Sequence, residues 1–200
     1  MRNTYDAAGR LIRVEQGELA AWQSEAVAPS AWTGFTVHRV QATVYDAMGR
    51  KVREVLSAAD GTVRAVAQHS CDALGRPECS AARMNPALWP SAAGTGGSLP
   101  ASACASGAAG TGANDFGPDR ISRNLYDAAG QRLQLRVGVG TPDEGARASW
   151  AYNGNGQVTT VIDGNGNRAA AGAAAGARIP QRHPHGSASR SGGRPRRRGR

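Results

Sequence analysis

Several short clusters of polar residues have types and spacings that could support chemistry. Asp163, Asn165 and Asn167 alternate like the first ligands of a calcium-binding loop, which uses carboxylate and amide oxygens. The sixth place of such a loop is Arg168 here rather than glycine, and the twelfth is Ala174 rather than glutamate. Turn formation explains these residues better, so we assign no metal site and no cofactor.

His69, Ser70 and Cys71 form the densest group that could supply a base and a nucleophile. They lie in a segment with strand-like alternation, where adjacent side chains point to opposite faces. No serine or cysteine lies in a recognisable nucleophile turn, and the Cys and His spacing matches no metal site. We therefore predict that the chain is not an enzyme, with no catalytic, cofactor-binding or metal-binding residues.

The charge suggests a nucleic-acid partner only until its position is considered. The chain carries a net charge of +9, but residues 169–200 contain eight Arg and no acid. Removing them leaves a net charge of +1. Leu, Ile, Val and Phe make up only 28 of the 200 residues, which argues against a large enzyme core. No window approaches the ~18 apolar residues of a membrane span, so we expect none.

A repeat organises the elements. The form aromatic–Asp/Asn–x–x–Gly–polar occurs six times, with decayed members. The copies start at Tyr5, Tyr45, Cys71, Tyr126, Tyr152 and Ile162. Asp or Asn at the first turn position, with Gly at the fourth, is typical of a type I turn with an Asx hydrogen bond. Each copy therefore predicts the tip of a β-hairpin.

The residues around the tips alternate between apolar and polar, which predicts strands with one buried face. We expect the motif tyrosine to pair with the residue five positions on and to share a face with the residue seven positions on. The latter residues are Ile12, Val52 and Leu133. One such hairpin is marginal in water, so neighbouring hairpins must pair to close a core.

The recurrence of Tyr-Asp-x-x-Gly-Arg at irregular spacing resembles the YD-repeat, or RHS-repeat, family of bacterial and toxin-complex proteins. The resemblance covers residues 1–168 and is strongest at the first, second and fourth copies. It implies long hairpins joined edge to edge in a spiralling sheet that forms a hollow shell around a C-terminal effector. We expect this chain to be a fragment of such a protein.

The predicted architecture is all-β: antiparallel hairpins that stack into part of a spiralling sheet or shell. Residues 1–79 and 121–168 each hold three motif copies. Residues 80–120, rich in Pro, Ala and Gly, predict a largely mobile loop insertion. Residues 169–200 predict a disordered Arg-rich tail, which we interpret as an out-of-frame translation. Cys79 and Cys104 could close the inserted loop in an oxidising compartment or stay free thiols; spacing leaves both readings open.

The predicted function is structural: a shell segment in a bacterial toxin-delivery or cell-surface system. Its partners would be further repeats of a longer chain and an encapsulated effector, and its location extracellular or at the cell surface. One alternative is a carbohydrate- or surface-binding module that uses the tyrosines at 5, 45, 126 and 152. A second is a nucleic-acid binder acting through the basic tail, which we do not favour because the tail has no interleaved aromatics.

Overall fold

The computed structural model describes residues 1–170, and the predicted Arg-rich tail lies almost wholly outside them. The described chain is all-β, as the repeat predicts, with three single-turn 3-10 helices as its only helical segments. The strands are β1 (Arg2–Tyr5), β2 (Leu11–Leu19), β3 (Phe35–Tyr45), β4 (Lys51–Ala58), β5 (Val63–Cys71), β6 (Pro77–Arg83), β7 (Arg120–Tyr126), β8 (Arg132–Val137), β9 (Gly145–Tyr152), β10 (Val158–Asp163) and β11 (Arg168–Ala170).

All eleven strands belong to one open antiparallel sheet whose spatial order follows the chain order. Each strand therefore pairs with its neighbours in sequence, and β1 and β11 form the two outer edges within residues 1–170. Each of the six motif copies connects two consecutive strands, which confirms the prediction of hairpin tips. The first five copies share one end of the sheet, whereas the sixth, between β10 and β11, turns at the opposite end because only one strand separates it from the fifth.

The pairing next to each tip differs from the prediction. Tyr45 lies opposite Lys51, six positions on, and the register shifts between Val44 and Tyr45. The same shift occurs beside the first, third and fourth copies. The expected offset of five is wrong because the turn ends in a β-bulge, which places two residues of one strand opposite one of the other. Alternation still places Tyr45 and Val52 on one face, since Thr43 lies opposite Glu54.

The buried core lies on the sheet face opposite the motif tyrosines. Two clusters form it, and both include residues from the segment between β6 and β7, residues 84–119, here called the covering loop. Trp89 and Leu99 pack against the first cluster, and Ala103 belongs to the second. The sheet residues that they cover are Ala42, Val55 and Val66 in the first, and Cys79, Ala81 and Ile121 in the second.

The covering loop differs from the mobile insertion that its composition predicts. Trp89, Leu99 and Ala103 lie against the sheet, and Arg83 and Asp119 at the two ends of the loop form an ion pair buried from solvent. Cys79 and Cys104 form a disulfide that ties the loop to β6.

The face of the sheet that carries the motif tyrosines is less covered: Leu133, an expected core residue, is 40% exposed. None of the helical turns in the described chain is long or apolar enough to cross a membrane.

Candidate functional site: a ladder of hairpin turns

The recurring residues of the motif make most of their hydrogen bonds within the turn itself, as the second copy shows. One carboxylate oxygen of Asp46 accepts hydrogen bonds from the backbone N–H groups of Met48 and Arg50, at 2.9 and 2.8 Å. The other accepts from the Arg50 Nε at 2.7 Å. The N–H of Gly49 donates to the Asp46 carbonyl at 3.0 Å, which closes the type I turn.

The same pattern recurs in the other copies and explains the decayed ones. Asp6 and Asp72 make the equivalent bonds to their own turns and to Arg10 and Arg76. Asn153 of the fifth copy keeps the two backbone bonds through its amide oxygen. An asparagine can therefore replace the aspartate, because the turn needs a hydrogen-bond acceptor and not a charge.

Two of the three motif arginines, Arg10 and Arg76, also contact the next turn along the sheet. The Arg10 guanidinium lies 4.9 Å from the centre of the Tyr45 ring, and the Arg76 guanidinium lies 4.5 Å from that of Tyr126. Both arginines also point an Nη1 at the carbonyl of the next motif aspartate, at 3.5 and 3.3 Å. Cation–π contact and charge-assisted bonding thus join one turn to the next.

The motif tyrosines complete these contacts in the reverse direction. The Tyr45 hydroxyl donates to the Leu11 carbonyl at 3.1 Å. The Tyr126 and Tyr152 hydroxyls donate to the Pro77 and Arg132 carbonyls at 2.8 and 2.9 Å. In all three cases the acceptor lies six positions after the first residue of the preceding motif. We call this row of interlocked tips, formed by copies one to five, the turn ladder.

The motif glycine is required by the backbone conformation of the turn. Gly49 has a φ of +78°, a conformation that side chains with a Cβ rarely adopt. It also lies beneath the preceding arginine: a Cβ on Gly49 would be 3.6 Å from the Arg10 Nη1, and one on Gly130 would be 3.6 Å from the Arg76 Nη1. These distances are ordinary van der Waals contacts, so positive φ, and not lack of space, is what requires glycine at the tip.

We expect Gly49→Val to lower the free energy of unfolding by about 1–3 kcal/mol, because a β-branched residue would be strained at positive φ. Chemical denaturation of the full chain measures the loss. Gly154→Val is the matched control, since Gly154 occupies a motif turn at ordinary φ with open space around it. Equal losses in the two variants would contradict the role of positive φ.

The pKa of the Asp46 carboxyl should lie below the usual range of an aspartate. The backbone N–H of Arg50 contributes most to lowering the pKa of Asp46, and the Arg50 guanidinium adds to it, while partial desolvation opposes both. A lowered native pKa means that the ionised carboxylate stabilises the fold above its unfolded pKa, and that this contribution is lost as the pH falls through the native value. Carboxyl NMR titration should give a midpoint for Asp46 below that of Asp46 in the unfolded chain. A midpoint at or above it would contradict the turn chemistry.

The other residues singled out by type, apart from Cys71, have hydrogen-bond or ion-pair partners. Both Asp163 carboxylate oxygens accept bonds from its own turn, namely from the Asn165 and Asn167 backbone and from the Asn167 amide. His69 lies 3.0 Å from Glu54, and its side chain is only partly buried. Cys71 is a free thiol. Ser70, on the other face of β5, accepts from the Ala103 backbone N–H at 2.7 Å.

Sequence reasoning missed the residues that hold the covering loop. The Arg83 guanidinium donates to the Gln68 side chain, to the Ser102 and Ala105 carbonyls and to Asp119. Neither Arg83 nor Asp119 belongs to a repeat or a motif, so no local signal marks them.

The chain matches no protein-family model, and the comparison with curated proteins found no match.

Proposed function

We propose that the chain is a structural segment of an RHS/YD-repeat shell, in a bacterial toxin-delivery or cell-surface protein, with no catalysis of its own. The observation that carries the proposal is the turn ladder. The motif's acidic and glycine positions shape each turn, as Asp46 and Gly49 do. Its aromatic and basic positions bind one hairpin to the next, as Tyr45 and Arg10 do. Such a repeat builds a wall that grows by adding hairpins.

The two outer strands support the proposal. The backbone groups on the outer edge of a terminal strand are a template for pairing with another strand. Tyr5 on β1 is 56% exposed, whereas its counterparts Tyr45 and Tyr126 lie beneath an arginine of the preceding hairpin. A further hairpin on β1 would supply Tyr5 with both a guanidinium and an acceptor carbonyl. Further repeats of a longer chain are thus the partners that we propose.

The disulfide supports the proposed extracellular or surface location. Structural disulfides persist mainly in oxidising compartments. Cys79–Cys104 joins β6 to the covering loop across 25 positions of sequence, beside the buried cluster that contains Ala81 and Ile121. This bond therefore favours a secreted shell over a protein that remains among cellular reductants.

Edge pairing in solution tests the proposal. We expect the full chain to associate as its concentration rises, measured by light scattering after size exclusion. Proline lacks the N–H that edge pairing needs, so Asn3→Pro/Arg168→Pro should reduce association without altering the far-ultraviolet circular dichroism. Asn3→Ala/Arg168→Ala is the matched control and should associate like the wild type. A wild-type chain that stays monomeric at every concentration would refute the shell reading.

The carbohydrate-binding alternative has one favourable observation. Tyr5 and Trp22 are exposed, at 56% and 82%, as stacking platforms for sugars must be. The phenols of Tyr45, Tyr126 and Tyr152 are engaged in the ladder. Glycan-array binding that Tyr5→Ala or Trp22→Ala abolishes would favour this alternative over the shell.

A further inference from the structure

The four junctions between successive hairpins share one register. At each of them, the residue eight positions after the start of one motif lies opposite the residue three positions before the start of the next. The pairs are Arg13–Ala42, Arg53–Gln68, Cys79–Arg123 and Gln134–Ser149. The first residue of each motif therefore occupies an equivalent place at every junction.

A tyrosine fills this place at three junctions, where its hydroxyl donates to a carbonyl of the preceding hairpin. At the second junction the place belongs to Cys71, whose side chain lacks both the ring and the hydroxyl. The equivalent acceptor is the Lys51 carbonyl, because Lys51 follows Tyr45 by six positions. Among residues 1–170, no side chain donates a hydrogen bond to that carbonyl.

The arginine at this junction is already placed for a ring. The Arg50 Nε binds Asp46 at 2.7 Å, as Arg10 and Arg76 bind their own aspartates. The Arg50 Nη1 would lie 3.6 Å from a Cβ on Gly75, which matches the placement of Arg10 and Arg76 over the next glycine. Arg10 and Arg76 each cover a tyrosine ring, whereas Arg50 covers no aromatic ring in the described part of the chain.

A half-open cleft of about 410 Å³ lies next to Cys71 on the tyrosine face of the sheet, and its walls include Arg50, Lys51 and His69. Glu54 also lines this cleft and is bound to both Lys51 and His69. The site is thus a recess with the Arg50 guanidinium on one side. The Lys51 carbonyl occupies the position that accepts the tyrosine hydroxyl at the other junctions.

We propose that this recess binds a phenolic ring from outside the hairpin stack. The ring would lie against the Arg50 guanidinium by cation–π attraction, and its hydroxyl would donate to the Lys51 carbonyl. It would thereby reproduce the contacts that Tyr45 and Tyr126 make at their own junctions. The ring belongs either to a free phenolic compound or to a tyrosine side chain of a partner. The inference uses only contacts within this chain, so it does not depend on the shell proposal.

The probe is p-cresol, the side chain of tyrosine as a free molecule, added to the full chain. We expect saturable changes in the backbone amide NMR signals of Arg50, Lys51 and Cys71, and a higher Tm. Toluene has the same shape without the hydroxyl and should bind several-fold more weakly, because it leaves the carbonyl unpaired. N-acetyltyrosinamide distinguishes the sources: binding tighter than p-cresol indicates a tyrosine of a partner, and weaker binding a free phenolic compound.

The decisive variant fills the recess with a tyrosine side chain of the protein itself. Cys71→Tyr should abolish p-cresol binding and raise the Tm of the unliganded chain, whereas the matched control Cys71→Ser should keep p-cresol binding. Arg50→Gln should weaken binding several-fold with the fold retained, since Gln131 stands at the equivalent place in the fourth motif. Absence of p-cresol binding to the folded wild type, or equal binding to Cys71→Tyr, would overturn the proposal.

Discussion

Asp119→Ala should lower the free energy of unfolding by about 3–5 kcal/mol, because it leaves the Arg83 guanidinium buried without its counter-charge. The two side chains are 6% and 1% exposed and lie 2.6 Å apart. Asp119 also accepts the backbone N–H groups of Met84 and Gly107, both at 2.8 Å. One carboxylate therefore holds β6 and two points of the covering loop together.

Denaturant unfolding monitored by tryptophan fluorescence measures this loss, since Trp89 of the covering loop packs against the sheet cluster that contains Val55 and Val66. Asp115→Ala is the matched control: Asp115 is an exposed carboxylate of the same loop, bound only to its local turn at Gly117. We expect that variant to change stability by less than about 0.5 kcal/mol. A similar loss in both variants would show that the buried pair has no special role.

A double variant distinguishes the loss of the ion pair from the cost of leaving the Arg83 charge buried without a partner. Arg83→Met with Asp119→Ala removes both charges, so no unpaired ion stays buried. The double variant should therefore lose less stability than Asp119→Ala alone.

The contribution of Asp119 to stability depends on pH with a defined sign. Burial by itself raises the pKa of Asp119, but the Met84 and Gly107 N–H groups and the Arg83 guanidinium outweigh it and lower the pKa. This contribution to stability is present above the unfolded pKa and is lost as the pH falls through the lowered native value.

The second large effect concerns the disulfide. Cys104→Ser should lower the free energy of unfolding by about 3 kcal/mol, because the bond closes a loop of 25 positions and so restricts the unfolded chain. The bond also joins Cys79, in the cluster of Ala81 and Ile121, to the loop that covers it.

Reduction of the wild-type chain should give the same loss, and the reductant should leave Cys104→Ser unchanged. Cys71→Ser serves as the control for the thiol chemistry, since Cys71 is free and should not contribute to the loop closure. The prediction fails if Cys104→Ser unfolds at the wild-type denaturant concentration under oxidising conditions.

The hairpin tips were the part of the fold most accessible to prediction. Asp46 and Gly49 specify their turn through bonds within five consecutive residues, and such local chemistry is visible in any sequence. The repetition of the motif then required one strand on each side of every tip. The offset of the pairing was not visible, because a bulge at Val52 changes the register next to the tip without changing which residues share a face farther along the strands.

The buried face followed from tertiary structure alone. Ile12, Val52 and Leu133 follow the tyrosines and suggested that the tyrosine face is the core, yet Val55, Val66 and Ile121 are the residues excluded from solvent. Both faces of these strands carry apolar residues, so alternation could not choose between them. The covering loop makes the choice, since it lies across one face of the sheet.

By itself, the sequence determined an all-β chain of paired hairpins, the positions of their tips and the role of glycine at each tip, because these properties depend on contacts between residues close in the chain. Only the tertiary structure decided which face is buried, that Cys79 pairs with Cys104, that Arg83 meets Asp119 across 36 positions, and that the second junction has a recess where the others have a ring. Those features depend on which distant segments meet, and the chain carries no local signal of such meetings.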